Sequence, residues 1–152
     1  MIKFHSLLTV LSIACFSALM KSCAPSACFE ETNSYLKASF YSNEKQLAPD
    51  SLSVSGLGQT IKIYDKARKI QPALLPLNAS AGSCTFVIRI NGVNDTIQFL
   101  YSSYPHLISK ECGYTFYHTL DSHAFTKNNI DTILIINRSV TTANEENIRI
   151  FY

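Results

Sequence analysis

Hydrophobic and polar residues alternate with a period of two along most of the chain. Such alternation turns every second side chain to one face and is typical of a half-buried strand rather than a helix. No long helical stripe is present, and residues 66–71 allow at most a short helix. Strands are predicted where the alternation holds or where strand-forming residues are dense, at 35–41, 51–55, 60–64, 83–90, 95–101, 113–120, 130–136 and 148–152.

Some of these segments carry more information. The Asn91-Gly92 pair between two alternating runs predicts a β-hairpin, since this dipeptide favours tight turns. Ile61 and Ile63 are predicted to share one face of their strand. Residues 130–136 are almost continuously apolar, which predicts a strand buried on both faces.

The pattern predicts an all-β fold, an antiparallel β-sandwich of about eight strands with immunoglobulin-like architecture. An eight-stranded barrel is the alternative, because its strand count is similar. The irregular stretch 70–81, with Pro72 and Pro76, favours the sandwich.

The N-terminus follows a different pattern. Lys3 precedes an apolar run over residues 6–20, which is too short to span a bilayer but suits a secretory signal. Ser22-Cys23 is typical of the end of a lipobox, although Lys21 departs from it. Ordinary signal cleavage fits less well because Pro25 follows closely, and the length of the run disfavours an uncleaved anchor.

We therefore predict a lipoprotein signal peptide at 1–22 and lipidation of Cys23, which would attach the chain to a membrane. A tether at 23–33 and a single domain at 34–152 follow. Loss of Lys3 and Lys21 leaves eleven basic and eleven acidic residues. A neutral domain exerts no long-range attraction for nucleic acid, so nucleic acid is not an expected partner.

The cysteines indicate an oxidising compartment. With Cys23 lipidated, Cys28, Cys84 and Cys112 remain, and three thiols cannot all pair within one chain. Cys84 begins an alternating buried series, so we favour a Cys28–Cys112 disulfide with Cys84 free. A Cys84–Cys112 bridge remains the alternative, because spacing alone does not establish pairing.

Candidate chemistry is sparse, and we predict no catalytic, cofactor or metal site. His118 and His123 are five residues apart and face opposite sides of an ideal strand, unless a turn at Asp121-Ser122 intervenes. Asp121, Ser122 and His123 are neighbours and cannot form a catalytic triad. The 91–95 loop lacks the acidic density of a calcium site.

Two further clusters are interpreted as ordinary surface or strand features. The basic group Lys66, Arg68 and Lys69, with Lys62 near it, is interpreted as a solvated loop rather than an anion site. The tyrosines around a predicted Pro105 loop are interpreted as strand-forming residues rather than a stacking platform for a ligand: Tyr101, Tyr104, Tyr114 and Tyr117.

A resemblance extends over nearly the whole predicted mature chain. The motifs that carry it are Asp50-Ser51-Leu52, Gly56-Leu57-Gly58, Leu75-Pro76-Leu77, Glu111-Cys112-Gly113-Tyr114, and the stretches 129–133 and 137–141. Together they resemble a family of uncharacterised Bacteroidetes envelope lipoproteins, a domain of unknown function. The resemblance implies an envelope lipoprotein with a β-rich domain and transfers no catalytic residues.

In that setting three triplets match the Asp, Ser or Thr, aliphatic pattern that Bacteroidetes use for O-glycosylation. Their acceptors are Ser51, Thr96 and Thr132, and each is expected at an exposed strand start.

The expected function is a non-enzymatic, lipid-anchored module that binds or scaffolds an envelope protein or glycan. The favoured location is the periplasmic side of the outer membrane. An acidic run directly after the lipidated cysteine often marks surface export in Bacteroidetes, and no such run follows Cys23. A surface-fibre subunit, with Lys37 as its trypsin-like site, is the alternative. An enzyme with an unrecognised site is a third possibility.

Overall fold

A computed structural model describes residues 27–152; the predicted signal peptide and Cys23 lie outside this range. The described residues form eleven strands and no helix, which confirms the all-β prediction. The strands are β1 (Tyr35–Ser42), β2 (Lys45–Gln46), β3 (Leu52–Gly56), β4 (Lys62–Ala67), β5 (Ala73–Pro76), β6 (Ser83–Ile90), β7 (Val93–Ser109), β8 (Gly113–Phe125), β9 (Thr132–Ile135), β10 (Ser139–Val140) and β11 (Ile148–Phe151).

The first sheet is built around β1. Its order is β2-β1-β11-β9, and β5 also pairs with β1. Asn147 fixes the start of β11. Its side-chain Oδ1 accepts a hydrogen bond from the Lys37 backbone amide at 2.9 Å, and the backbone amide of Asn147 donates to the Lys37 carbonyl at 3.0 Å. β1 and β11 run parallel, so the prediction of purely antiparallel strands is wrong at this pair.

The second sheet has the order β10-β8-β7-β6-β3-β4 and is antiparallel throughout. Its β6–β7 turn confirms the predicted hairpin: Ile90 pairs with Val93 across Asn91 and Gly92. Both turn residues have positive φ, +50° and +94°. This backbone geometry favours asparagine and glycine because other side chains are strained there.

The core lies between the two sheets and draws on both. Phe40 and Ile150 come from the first sheet, while Val54, Ile88 and Phe99 come from the second, and each is at most 1% exposed. This two-layer packing supports the predicted β-sandwich.

One local prediction is wrong, and one strand was not predicted. The irregular stretch after Pro72 contains β5, which pairs along one edge of β1. Residues 66–71 form no helix, which agrees with the expectation of at most a short one, and Lys66 belongs to β4. Ile61 is 83% exposed whereas Ile63 packs against the core, so the two do not share a buried face.

The segment 130–136 is also less buried than predicted. Ile133 is 4% exposed, but Leu134 and Ile136 are about half exposed. Ile133 faces the core, whereas Leu134 lies on the outer face of the two-layer sandwich, which no third layer covers among the described residues. In the same range, strand β9 pairs only with β11 and therefore also ends its sheet. The apolar run therefore belongs to an edge strand, not to a strand enclosed on both faces.

The N-terminal segment is fixed to the second sheet. The predicted Cys28–Cys112 disulfide is confirmed, and within residues 27–152 the free cysteine is Cys84. The Thr115 hydroxyl also donates to the Thr32 carbonyl at 2.6 Å. In the part of the chain that the structure describes, no helix is long and apolar enough to cross a membrane.

Candidate functional site

A polar cleft lies on the outer face of the second sheet. Strands β3 and β6 turn Leu52, Val54, Ile88 and Ile90 inward, so the alternate residues face outward. The cavity measures about 400 Å³, and its polar lining includes Ser51, Ser53, Ser55, Lys62, Lys66 and Arg89.

An irregularity in β4 shapes one wall of this cleft. Leu52 pairs with Ala67 and Val54 with Tyr64, so the intervening residues of β4 outnumber those of β3. Lys66 absorbs the extra length with φ +49°, and its amide donates to the Ser53 hydroxyl at 2.9 Å. A bulge of this kind redirects side chains at a sheet edge.

The cleft carries a net positive charge. Lys62 Nζ lies 2.6 Å from the Asp65 carboxylate, and this contact lowers the pKa of Asp65. Arg89 Nε donates to the Gly92 carbonyl at 3.0 Å. No carboxylate of residues 27–152 lies within ion-pair distance of Lys66 or Arg89. Two cations without an ion-pair partner among residues 27–152 therefore lie beside three hydroxyl groups.

This chemistry suits an anionic oxygen group, because cations and hydroxyls donate to carboxylate or phosphate oxygens. Among the described residues, the lining contains no histidine and no carboxylate that would activate a serine. Lys62 and Lys66 are exposed, as the interpretation of a solvated basic cluster requires, but they lie on β4 and line the cleft, so their predicted placement in a loop is wrong.

The histidines of β8 do face the same side of the sheet. Leu120 pairs with Tyr101 and Ser122 with Leu100, so Asp121 is an inserted bulge residue. His123, opposite the buried Phe99, thereby shares the inner face with His118. The prediction of opposite faces is wrong for this reason.

His118 is a structural residue in this arrangement. It is 2% exposed, its Nδ1 lies 2.8 Å from the Ser103 hydroxyl, and it packs edge-on against Tyr101. Burial lowers the pKa of His118, so its neutral form is favoured. Within residues 27–152, no group of three His, Cys, Asp or Glu side chains is arranged to hold a metal ion.

Asp95 is buried rather than available to calcium. Its Oδ1 accepts hydrogen bonds from the Thr126 hydroxyl at 2.6 Å and the Asn128 amide at 2.8 Å. Its Oδ2 accepts from the amides of Asn129 and Ile130 at 2.8 and 3.0 Å. Burial alone would raise the pKa of Asp95, but these four bonds outweigh it and lower the pKa.

The four tyrosines do not form one platform. Tyr101 is buried and its hydroxyl donates to the Asn78 carbonyl at 3.0 Å. Tyr104 packs edge-to-face on Tyr117, whereas Tyr114 is 73% exposed. The predicted loop at Pro105 is absent, because Pro105 lies within β7 opposite Phe116.

The candidate modification sites differ in exposure. Thr132 begins β9 and is exposed, while Ser51 directly precedes β3 and is half-buried. Thr96 lies inside β7, paired with Val87, so it does not mark the strand start that was predicted. Lys37 lies inside β1 and is 7% exposed, and burial lowers its pKa.

Two groups that line the cleft were not predicted from the sequence: Arg89 and the serine row. Arg89 joins the cleft from β6 and is remote in sequence from Lys62 and Lys66. The serine row could have been recognised as a polar outer face, because it alternates with two apolar residues: Ser51, Ser53 and Ser55, with Leu52 and Val54 between them.

Comparison with known proteins identifies one family. Residues 51–152, about two-thirds of the chain, match the model of a family of unknown function, DUF6452. No curated protein and no solved structure matches the chain. The matched range includes both walls of the cleft. The chain therefore belongs to the DUF6452 family of unknown function.

Proposed function

We propose that the protein is a non-enzymatic, lipid-anchored module of the bacterial cell envelope, as in a Bacteroidetes lipoprotein, which binds an anionic envelope component in the cleft. The anchor would be lipid on Cys23, and the periplasmic side of the outer membrane is the favoured location. The Cys28–Cys112 disulfide supports this placement, since such bonds persist in oxidising compartments.

The observation that carries the binding role is the charge of the cleft. Lys66 and Arg89 have no carboxylate partner among residues 27–152, although the predicted mature chain is neutral overall. Concentrating two cations in one concave site focuses the local field on an anionic group. Ser51, Ser53 and Ser55 add hydroxyl groups that recognise oxygen-rich ligands such as acidic glycans.

The proposal is tested by photocrosslinking in intact cells that express the full chain. A photoreactive amino acid at Ser53 places the reactive group in the cleft, and the same substitution at Leu134 places it on the outer face of β9. We expect a crosslinked envelope component at position 53 that is absent at position 134. Equal labelling at both positions, or none, would contradict a binding role for the cleft.

A charge-matched comparison separates specific binding from general attraction. The double variant Lys66→Gln/Arg89→Gln removes the two cations of the cleft, and Lys45→Gln/Lys127→Gln removes two exposed cations elsewhere. We expect crosslinking from position 53 to fall about tenfold in the first variant only, as expected for loss of about 1.4 kcal/mol or more of binding energy. A similar fall in both variants would show non-specific attraction.

The geometry gives the surface-fibre alternative no comparable support. Cleavage at Lys37 would cut β1, which pairs with β11 on one side and with β2 and β5 on the other. It would also separate Leu36 from Ala38 and Phe40, all of which are fully buried in the core. Removing such a strand costs far more than releasing an edge strand.

A further inference from the structure

The β7–β8 hairpin projects beyond the rest of its sheet. β6 pairs with β7 only as far as Leu100, and β10 pairs with β8 only at His118 and Thr119. Beyond these points the two strands pair with each other alone, from Tyr104 to Ser109 on β7 and from Gly113 to Tyr117 on β8. We call residues 104–116 the hairpin tip.

The hairpin tip exposes apolar side chains on one face. Leu107 is directly opposite Tyr114, and Pro105 is directly opposite Phe116, so these four residues share a face. Leu107 is 48%, Phe116 46% and Tyr114 73% exposed. This face continues the core-facing side of the sheet past the end of the core, so nothing in the described range covers it fully.

The N-terminal segment is fastened to the same tip. The disulfide joins Cys28 to Cys112 in the turn of the hairpin. The Ser34 hydroxyl donates to the Phe116 carbonyl, which holds the segment along β8. Phe29, next to the disulfide, is 92% exposed and adds a further apolar side chain.

Chain length then limits how far the tip can lie from a lipid on Cys23. Cys28 follows Cys23 by five positions, and an extended chain covers at most ~3.6 Å per position. Cys28 therefore lies within about 18 Å of the Cys23 backbone. Cys112 is farther away only by the length of the disulfide that joins it to Cys28. That distance is comparable to half the hydrocarbon thickness of a bilayer, ~15 Å.

We propose that the hairpin tip docks onto the membrane interface and sets the orientation of the whole domain. The occupant of the apolar face is the lipid surface, and this inference rests on the proposed lipidation of Cys23. Tyr114 is suited to the headgroup region because its ring is amphipathic, and Leu107 and Phe29 supply apolar surface. Lys110 and Glu111 at the turn offset each other in charge, so the contact needs no anionic lipid.

This orientation points the cleft away from the bilayer. Asn94, which lines the cleft, and Leu107 lie toward opposite ends of β7. At ~3.4 Å per residue, the strand between them spans up to about 44 Å. The disulfide therefore links the anchor to one end of the molecule and leaves the ligand-facing end free.

The chain contains no tryptophan, which permits a direct test. Single reporters are introduced into the full-length protein as Tyr114→Trp at the tip and Val93→Trp at the opposite end; Val93 is 41% exposed. Each protein is purified from membranes and reconstituted into phosphatidylcholine vesicles that contain lipid brominated near the headgroup. Both substitutions are at exposed positions, so neither disturbs the core.

We expect the Tyr114→Trp fluorescence to be quenched at least about threefold more than that of Val93→Trp, with a blue-shifted emission, since an interfacial indole lies among the lipids. Equal quenching of vesicle-bound proteins would overturn the docked orientation and leave the anchor intact. Vesicle flotation is measured on the same samples. If the original chain fails to float with the vesicles, the proposed lipid anchor is overturned, and the orientation with it.

Discussion

The Asp95 carboxylate holds residues 126–130 against the second sheet, and Asp95→Asn tests this role. The substitution preserves the size and shape of the side chain but replaces one oxygen with an NH₂ group. Each carboxylate oxygen accepts two hydrogen bonds. If the NH₂ group replaces Oδ2, it faces the backbone amides of Asn129 and Ile130 and both bonds are lost. If it replaces Oδ1, the bond from the Asn128 amide is lost, whereas the Thr126 hydroxyl can turn to accept from the NH₂ group.

The expected loss of stability follows from these contacts. Hydrogen bonds to a charged group contribute ~1.5–3 kcal/mol each, so losing one or two of them costs about 1.5–6 kcal/mol. Asp95 is 2% exposed, so water does not readily replace the missing acceptor. A domain of this size is stable by about 5–15 kcal/mol, which makes the loss a large fraction of the total.

The same contacts predict a pH dependence. Because the pKa of Asp95 is lowered in the folded state, its contribution is present above the unfolded pKa of ~3.9 and is lost as the pH falls through the folded value. The stability difference between the original chain and Asp95→Asn should therefore be constant near pH 7 and shrink below about pH 4.

Urea unfolding measured by circular dichroism gives the two free energies. Asp131→Asn is the matched control, because Asp131 is exposed and its carboxylate accepts no hydrogen bond from residues 27–152. We expect a change within about 0.5 kcal/mol for the control. If Asp95→Asn unfolds with the same free energy as the control, the assigned role of the carboxylate is refuted.

Three more predictions concern the cysteines and the modification sites. Cys28→Ser/Cys112→Ser should lower the unfolding free energy by about 4.5 kcal/mol, because the bridge closes a loop of sequence separation 84. Urea titration measures this change, and an unchanged unfolding midpoint would contradict it. Burial raises the pKa of the Cys84 thiol to about 11, so very little reactive thiolate is present at pH 8. Iodoacetamide should therefore modify Cys84 only after unfolding, and fast labelling of the folded protein would contradict this. We also propose that at least one of the Ser51, Thr96 and Thr132 hydroxyls carries a glycan. An intact mass of the natively expressed protein that shows no glycan would refute this.

Local alternation predicted the central strands because burial on one face leaves a period of two. Leu52 and Val54, or Ile97 and Phe99, are correctly placed on the inner face by this signal alone. The Asn91-Gly92 turn was equally visible, since positive φ restricts the residue types. Features that depend on the immediate neighbours in sequence were therefore predictable.

Features that depend on distant pairing were not. The parallel pairing of β1 with β11 joins the two ends of the domain, and no local pattern specifies it. The bulge at Asp121 reverses the facing of His123, although the sequence there contains no glycine or proline to mark it. The buried role of Asp95 is set by amides more than 30 residues away.

The cleft was missed for the same reason. Lys62 and Lys66 were visible as a basic cluster, but Arg89 reaches them only because β3 pairs with both β4 and β6. The disulfide pairing, by contrast, was favoured from the sequence because the alternating series assigned Cys84 to a buried strand and left Cys28 and Cys112, although the spacing left a Cys84–Cys112 bridge open.

The central claim is a lipid-anchored domain whose anchor is fastened to the hairpin tip. Mass spectrometry of the non-reduced protein, purified from membranes of the cells that express it and digested with trypsin after denaturation, tests it most directly. The account predicts one disulfide-linked pair, residues 23–37 with residues 111–127, in which Cys23 is N-terminal and carries a diacylglyceryl group. An N-terminal peptide that begins elsewhere, or an unmodified Cys23, would contradict it.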